Sequence, residues 1–172
     1  LKETQKLTKK SEKDVIMFLQ KAMILVSDYR IKEGAKLEKE LIKYLKNIIN
    51  QINLIKKNEK HRIKPKREKI EKKLKMFNLK IDKSRLEQEM IFFLEKIDIT
   101  EELVRLDYHC SFFLELIKKE NQSGRKLNFL CQEILREVNT IGSKSSDFKL
   151  QKSVILIKEE IEKIKEQVQN VL

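Results

Sequence analysis

Two short sets of residues in this chain have the types and spacing to act on a phosphodiester. Glu133, Arg136, Glu137 and Thr140 fall at i, i+3, i+4 and i+7, and Glu102, Arg105 and His109 at i, i+3 and i+7. On a helix each set forms one stripe. Carboxylates one turn apart can hold Mg²⁺ or Mn²⁺, hard cations that take oxygen ligands and retain waters. Such an ion lowers the pKa of a coordinated water or clamps a phosphate oxygen. The candidate metal ligands are Glu102, Glu133 and Glu137. The candidate catalytic residues are His109, Glu133, Arg136 and Glu137. His109 could shuttle a proton near neutral pH, and an arginine could meet the charge developing on phosphorus.

The competing reading is that Glu and Arg at these spacings decorate a helix surface with ion pairs. Arginine scarcity bears on the choice. Of 39 basic residues seven are Arg, and three of these are Arg105, Arg125 and Arg136. A chain drifting toward Lys keeps Arg where a planar fork matters, at a phosphate or at an interhelical carboxylate. Arg105 and Arg125 are accordingly candidates for RNA or phosphate contact. Ser143 and Lys144 join them, because a helix N-terminus beside the run Gly142-Ser143-Lys144-Ser145 can hold a phosphate through exposed amides. Capping by Ser146 or Asp147 is the competing role. A P-loop is excluded, since no Gly precedes this run at the required distance.

Other constellations fail. His109 and Cys110 are neighbours on a helix and point about 100° apart, so they cannot form a nucleophile–base pair. Two Cys and two His are too few for a structural zinc site. Cys110 and Cys131 read as buried, reduced thiols.

The elements that must position these residues read as helices. Three Gly and one Pro occur in 172 residues, where average usage would give about 12 and about 9. Across residues 15–55 apolar residues recur at three- and four-residue steps, from Val15 and Phe18 through Leu41, Leu45 and Ile48 to Ile55. That is one face of a long helix, weakened at Gly34. Pro65 should end one helix or open the next. Ser84 with Glu87 and Asp98 with Glu101 are capping patterns. A turn centred near Gln122 separates a helix carrying Leu103, Leu106 and Phe113 from one over about residues 125–139. Residues 142–146 break the pattern before a last helix through Val154, Ile157 and Ile161. The two helices flanking residue 122 should pack as an antiparallel hairpin, which sets His109 level with Glu133 and Arg105 level with Glu137. The expected fold is all-α: long antiparallel helices forming a helical arm (residues 1–80, with a break near Pro65) plus a C-terminal helical bundle (residues 81–172).

Charge is uneven. Residues 1–80 hold 24 Lys+Arg and 10 Asp+Glu, and residues 81–172 hold 15 and 17. The basic half suits a polyanion, with nucleic acid the leading class. Within it, residues 59–75 carry nine Lys+Arg, and Lys64, Lys66 and Arg67 are the candidate phosphate contacts. A solvated helix face is the alternative. No aromatic lies between residues 45 and 76, so binding there would use phosphates without base stacking. No apolar run is longer than the five residues 22–26, which excludes a membrane span and points to the cytoplasm.

The segments RLEQE (85–89), DITEELVRL (98–106), GRKLNFLCQEILREVNTIGSKSSD (124–147) and IEKIKEQVQNV (161–171) together resemble the C-terminal region of the YicC/YloC family. KEGAKLEKEL (32–41) is similar to that family's EGxxL stretch. The resemblance implies a metal-dependent endoribonuclease acting on single-stranded RNA, with Mn²⁺ or Mg²⁺ as cofactor. It also implies a ring-like homo-oligomer, with a hexamer among the expected stoichiometries. The family pattern carries over onto Glu101, Glu102, Arg105, His109, Gly124, Arg125, Gln132, Glu133, Arg136, Glu137, Asn139, Thr140, Ser143 and Lys144. Lys126-Leu127-Asn128 stands where the family has Arg-Leu-Asp, which removes a carboxylate at position 128. Family members also carry an N-terminal, largely β domain that these residues do not display. The alternative expectation is therefore a non-catalytic RNA-binding or oligomerisation module, and a third is a structural coiled coil.

Overall fold

A computed structural model describes residues 9–59, 63–76, 83–119 and 124–169. Six helices follow one another: α1 (Lys9–Glu59), α2 (Ile63–Met76), α3 (Lys83–Ile97), α4 (Thr100–Lys119), α5 (Gly124–Lys144) and α6 (Phe148–Val168). No strand occurs among the described residues, so the fold is all-α. His61 and the side chains of Lys64, Lys66 and Arg67 lie outside the described residues. Pro65 opens α2, standing in its first turn, where the missing amide hydrogen has no intrahelical partner to lose.

By its contacts the chain divides into Leu1–Glu40 and Leu41–Leu172. In the second unit four helices each bury one stripe. α1 contributes Leu41, Leu45, Ile48, Ile52 and Ile55, at alternating steps of four and three. α4 contributes Leu103, Leu106, Cys110, Phe113 and Leu116, and α5 contributes Leu127, Leu130, Ile134, Val138 and Ile141. Val154, Ile157, Ile161, Ile164 and Val168 supply the stripe of α6. Steps of three and four keep each stripe on one side of a 3.6-residue helix, and each fully buried Leu or Ile contributes roughly 1.5–3 kcal/mol of transfer free energy. α5 packs against both α4 and α6. The later part of α1 runs antiparallel to α6: Asn47 donates to Glu160 at 3.0 Å, and the Lys163 ammonium lies 5.9 Å from the centre of the Tyr44 ring. Lys56 then pairs with Asp107 and ties α1 to α4.

The first unit is different. Val15, Phe18, Leu19, Met23, Leu25, Val26 and Tyr29 are apolar too, yet all are exposed. Gly34 does not interrupt α1, and space around it is open.

Three helix ends set the positions of the polar stripes. Asp98 accepts from the amide and the hydroxyl of Thr100 at 2.9 and 2.6 Å, which starts α4. The Thr100 hydroxyl first, and its amide next, hold the Asp98 carboxyl below the usual carboxylate range. α5 runs on to Lys144, past the break expected at residues 142–146, and the chain leaves helix only at residues 145–147. Polar residues do not end it, because the hydroxyls of Thr140 and Ser143 donate back to the carbonyls of Arg136 (3.2 Å) and Thr140 (2.9 Å). Gly142 serves close packing instead, since a Cβ there would meet Val154 at 3.3 Å. α6 is capped by Asp147, whose carboxylate accepts from the Leu150 amide at 3.0 Å. Gln151 Nε2 donates to the carbonyls of Gly142 and Ser145, both at 2.6 Å, and so supplies partners to carbonyls at the end of α5.

Two expected outcomes follow from this packing. Phe113 is fully buried, and Phe113→Ala should lower unfolding free energy by about 3–5 kcal/mol, read from denaturant midpoints. Cys110 and Cys131 are free and buried, and burial pushes both thiols from 9.0 up to about 12. Between those values the unfolded chain loses thiol protons that the folded chain keeps. Stability should therefore be unaffected by these groups below pH 9 and fall as pH rises from there toward 12. Native protein at pH 8 should resist iodoacetamide at both sites, and denatured protein should react at both.

Candidate functional site

The polar stripes of α4 and α5 sit beside the buried ones, so the packing that buries Leu106, Cys110, Ile134 and Val138 also brings the polar residues level. Three contacts mark the register. Lys144 Nζ lies 2.7 Å from Glu102 Oε1, and Arg105 Nη1 lies 3.4 Å from Glu137 Oε1. One turn farther along, His109, Glu133 and Glu137 each place a ligand atom within 4.8 Å of the others. Residues 102, 105 and 109 thus meet 144, 137 and 133–137 in reverse order, as an antiparallel pair requires.

Burial sharpens the picture. Glu137 is 4% exposed and Glu102 6% exposed, while His109 and Glu133 are half-buried. Arg105 is exposed and shared, since it also pairs with Glu101. Glu101 first, and Glu137 second, push the guanidinium pKa up, so Arg105 stays charged beside them. Among the described residues two buried side-chain polar atoms find no hydrogen-bond partner, Glu102 Oε2 and His109 Nδ1. A buried nitrogen lone pair or N–H without a partner is costly and uncommon.

The His109, Glu133 and Glu137 donors fit a divalent ion. Ligand atoms at about 2.1–2.3 Å from one ion lie up to about 4.5 Å apart, so small side-chain adjustments close the set. One imidazole nitrogen with two carboxylate oxygens suits Mn²⁺ better than Mg²⁺, which prefers oxygen throughout. The buried His109 Nδ1, without a hydrogen-bond partner among the described residues, leaves the imidazole uncommitted to the protein at that atom. Glu102, expected among the ligands, lies seven residues from His109, about 10 Å along α4, and its Oε1 is held by Lys144.

The other expected residues are dispersed. Arg136 is exposed and stands next to Glu137 in sequence, hence about 100° around α5 from it. Arg125 is exposed at the start of α5, eight residues and about 12 Å from Glu133. The Ser143 hydroxyl is turned to the Thr140 carbonyl, the Lys144 ammonium to Glu102, and the Asp147 carboxylate occupies the first turn of α6. Spacing did not identify Gln151 as the residue joining the ends of α5 and α6, because its contacts at i−9 and i−6 cross a helix break and follow no helical period. Nor did spacing show Arg105 as a bridge from Glu101 to Glu137, although Glu101 at i−4 was a visible signal.

The family model described as "Endoribonuclease YicC-like, C-terminal" matches residues 55–172, a span that includes α4, α5 and α6. A Clostridioides difficile protein named "Probable endoribonuclease YicC" is 39% identical over 155 residues, covering 87% of this chain and 52% of that protein. A Haemophilus influenzae protein of the same name is 34% identical over 149 residues, covering 85% of this chain and 52% of that protein. The chain spans about half the length of the curated relatives it matches.

Metal titration tests the cluster directly. Mn²⁺ followed by electron paramagnetic resonance should bind at one site per chain, and His109→Ala or Glu137→Gln should abolish that binding. Arg105→Ala, which frees Glu137 from its partner, should weaken it by about 10- to 100-fold.

Proposed function

Because this chain belongs to the YicC-like endoribonuclease family, we propose that it is a metal-dependent endoribonuclease that cleaves single-stranded RNA at the His109–Glu133–Glu137 cluster. The observation that carries the reading is the convergence of an imidazole and two carboxylates within 4.8 Å, with the imidazole Nδ1 buried and unsatisfied. His109, Glu133 and Glu137 would hold Mn²⁺, or less readily Mg²⁺. When bound, the ion supplies Lewis-acid polarisation of a phosphoryl oxygen and a water of lowered pKa.

The chain's own groups do the rest. Arg105 orients the Glu137 carboxylate through its 3.4 Å contact and leaves part of its guanidinium open to a phosphate. Arg136, exposed about 100° around α5 from Glu137, would meet a phosphate only outside the cluster. The basic residues of the first half, Lys64, Lys66 and Arg67 among them, attract the RNA backbone without reading its sequence. Arg125 and Lys144 extend that field along α5. The Lys144 contribution is reduced by its pairing with Glu102. A cytoplasmic RNA is the substrate this reading calls for. Among the described residues no helix is long and apolar enough to cross a membrane.

The exposed apolar side chains of residues 15–31 favour a second component of the reading, self-association into a ring-like homo-oligomer. A chain that assembles and binds RNA without cutting it is the competing function.

Purified protein incubated with end-labelled single-stranded RNA should cleave it with Mn²⁺ and stop with EDTA. Glu137→Gln should reduce the rate by at least about 100-fold. Binding that weakens steeply with salt, with no cleavage in any metal, would leave the binding-module reading in place.

A further inference from the structure

Tyr108 and Phe112 stand one turn apart on the outer side of α4, 66% and 37% exposed. Their rings are stacked, with centroids 6.2 Å apart and planes inclined by 22°. Tyr108 also meets the His109 ring edge-on at 5.8 Å. Among the described residues no other pair of Phe and Tyr rings makes such a contact, although Phe18, Phe92, Phe129 and Phe148 are also exposed. An aromatic pair of this kind is a poor use of an exposed helix position for stability, because neither ring enters the core.

We propose that Tyr108 and Phe112 form a stacking platform that receives an unpaired RNA base beside the His109–Glu133–Glu137 cluster. The inference rests on the endoribonuclease reading and adds how the substrate is held. Every base has a π-face, so an aromatic platform accepts bases of any identity provided they are unstacked. That supplies a physical preference for single strands, since a paired base cannot present its face. Placement follows from the Tyr108–His109 contact, which sets the platform against one of the proposed ligands. A base stacked on Tyr108 would bring its own sugar–phosphate toward His109. The lysine-rich segment of residues 59–75 offers charge but no aromatic, so backbone attraction and base capture reside on separate parts of the chain.

The alternative occupant of this face is the helix of a second copy, because Val104 continues the apolar stripe one turn before Tyr108 and is also exposed. Such a helix would cover the side of His109 that Tyr108 borders, which argues against it for a site that must admit a phosphate.

The test uses the whole chain and single-stranded RNA carrying one 2-aminopurine, with EDTA present for binding and Mn²⁺ for cleavage. Wild-type protein should quench the probe, and Tyr108→Leu should abolish quenching and raise KM by about 5- to 150-fold, with kcat changed far less. Tyr108→Phe should retain both properties, and Phe148→Leu, at an exposed ring away from the cluster, should match wild type. A strand abasic at every position should bind wild-type protein and Tyr108→Leu equally. Melting by circular dichroism guards against misfolding of the variants, and Phe112→Leu gives a second, milder loss. If wild-type protein cleaves RNA but Tyr108→Leu leaves KM and quenching unchanged, the platform is wrong while the enzyme reading stands. If Tyr108→Leu instead changes the oligomeric mass by light scattering, the stripe is a protein interface and the platform is again overturned. If wild-type protein neither binds nor cleaves RNA, the endoribonuclease reading falls and the platform with it.

Discussion

The antiparallel register of α4 on α5 is the constraint on which the rest of this molecule depends. It is fixed by apolar side chains, Leu103 through Leu116 on one helix and Leu127 through Ile141 on the other. A slip of one turn would move the facing residues by about 5.4 Å. The apolar stripes would still find partial cover, but Lys144 would leave Glu102, Arg105 would leave Glu137, and His109 would leave the two carboxylates. Non-directional burial therefore sets a height that the directional polar contacts require.

Those polar contacts are not arranged for stability. Glu137 is buried, yet its partner Arg105 is half in water and divides itself with Glu101, so screening weakens what the pair returns. Glu102 is buried with one oxygen satisfied and the other stranded, and His109 has a stranded nitrogen. The far side of the bundle shows the contrast. Burial works against the Glu160 carboxylate, yet hydrogen bonds from Lys163 and Asn47 more than offset it and hold its pKa below the usual range. A fold that satisfies Glu160 and leaves Glu102 Oε2 and His109 Nδ1 without partners carries that polar cost along α4, the helix that bears the candidate site.

The two parts of α1 carry the same lesson for apolar residues. Leu41, Leu45, Ile48, Ile52 and Ile55 are buried, while Val15, Phe18, Met23 and Leu25 of the same helix are exposed. The buried group has α4 and α6 alongside, marked by Lys56 on Asp107 and Asn47 on Glu160.

Periodicity and caps by themselves determined that the described residues are almost entirely helical, where α4 and α6 begin, and that α4 and α5, close in sequence, set Arg105 level with Glu137 and His109 with Glu133. Those are local facts, carried by backbone hydrogen bonding and the 3.6-residue repeat. Only the tertiary structure decided that His109, and not Glu102, joins the two carboxylates, and that Lys144 is drawn to Glu102. It likewise decided that α5 continues through Gly142, where a neighbouring Val154 needs the space, and that the apolar residues of the first part of α1 are exposed. The reason is common to all four. A sequence fixes which residues share a face, but the rotation of that face about the helix axis, and what lies opposite it, are set by packing against other helices.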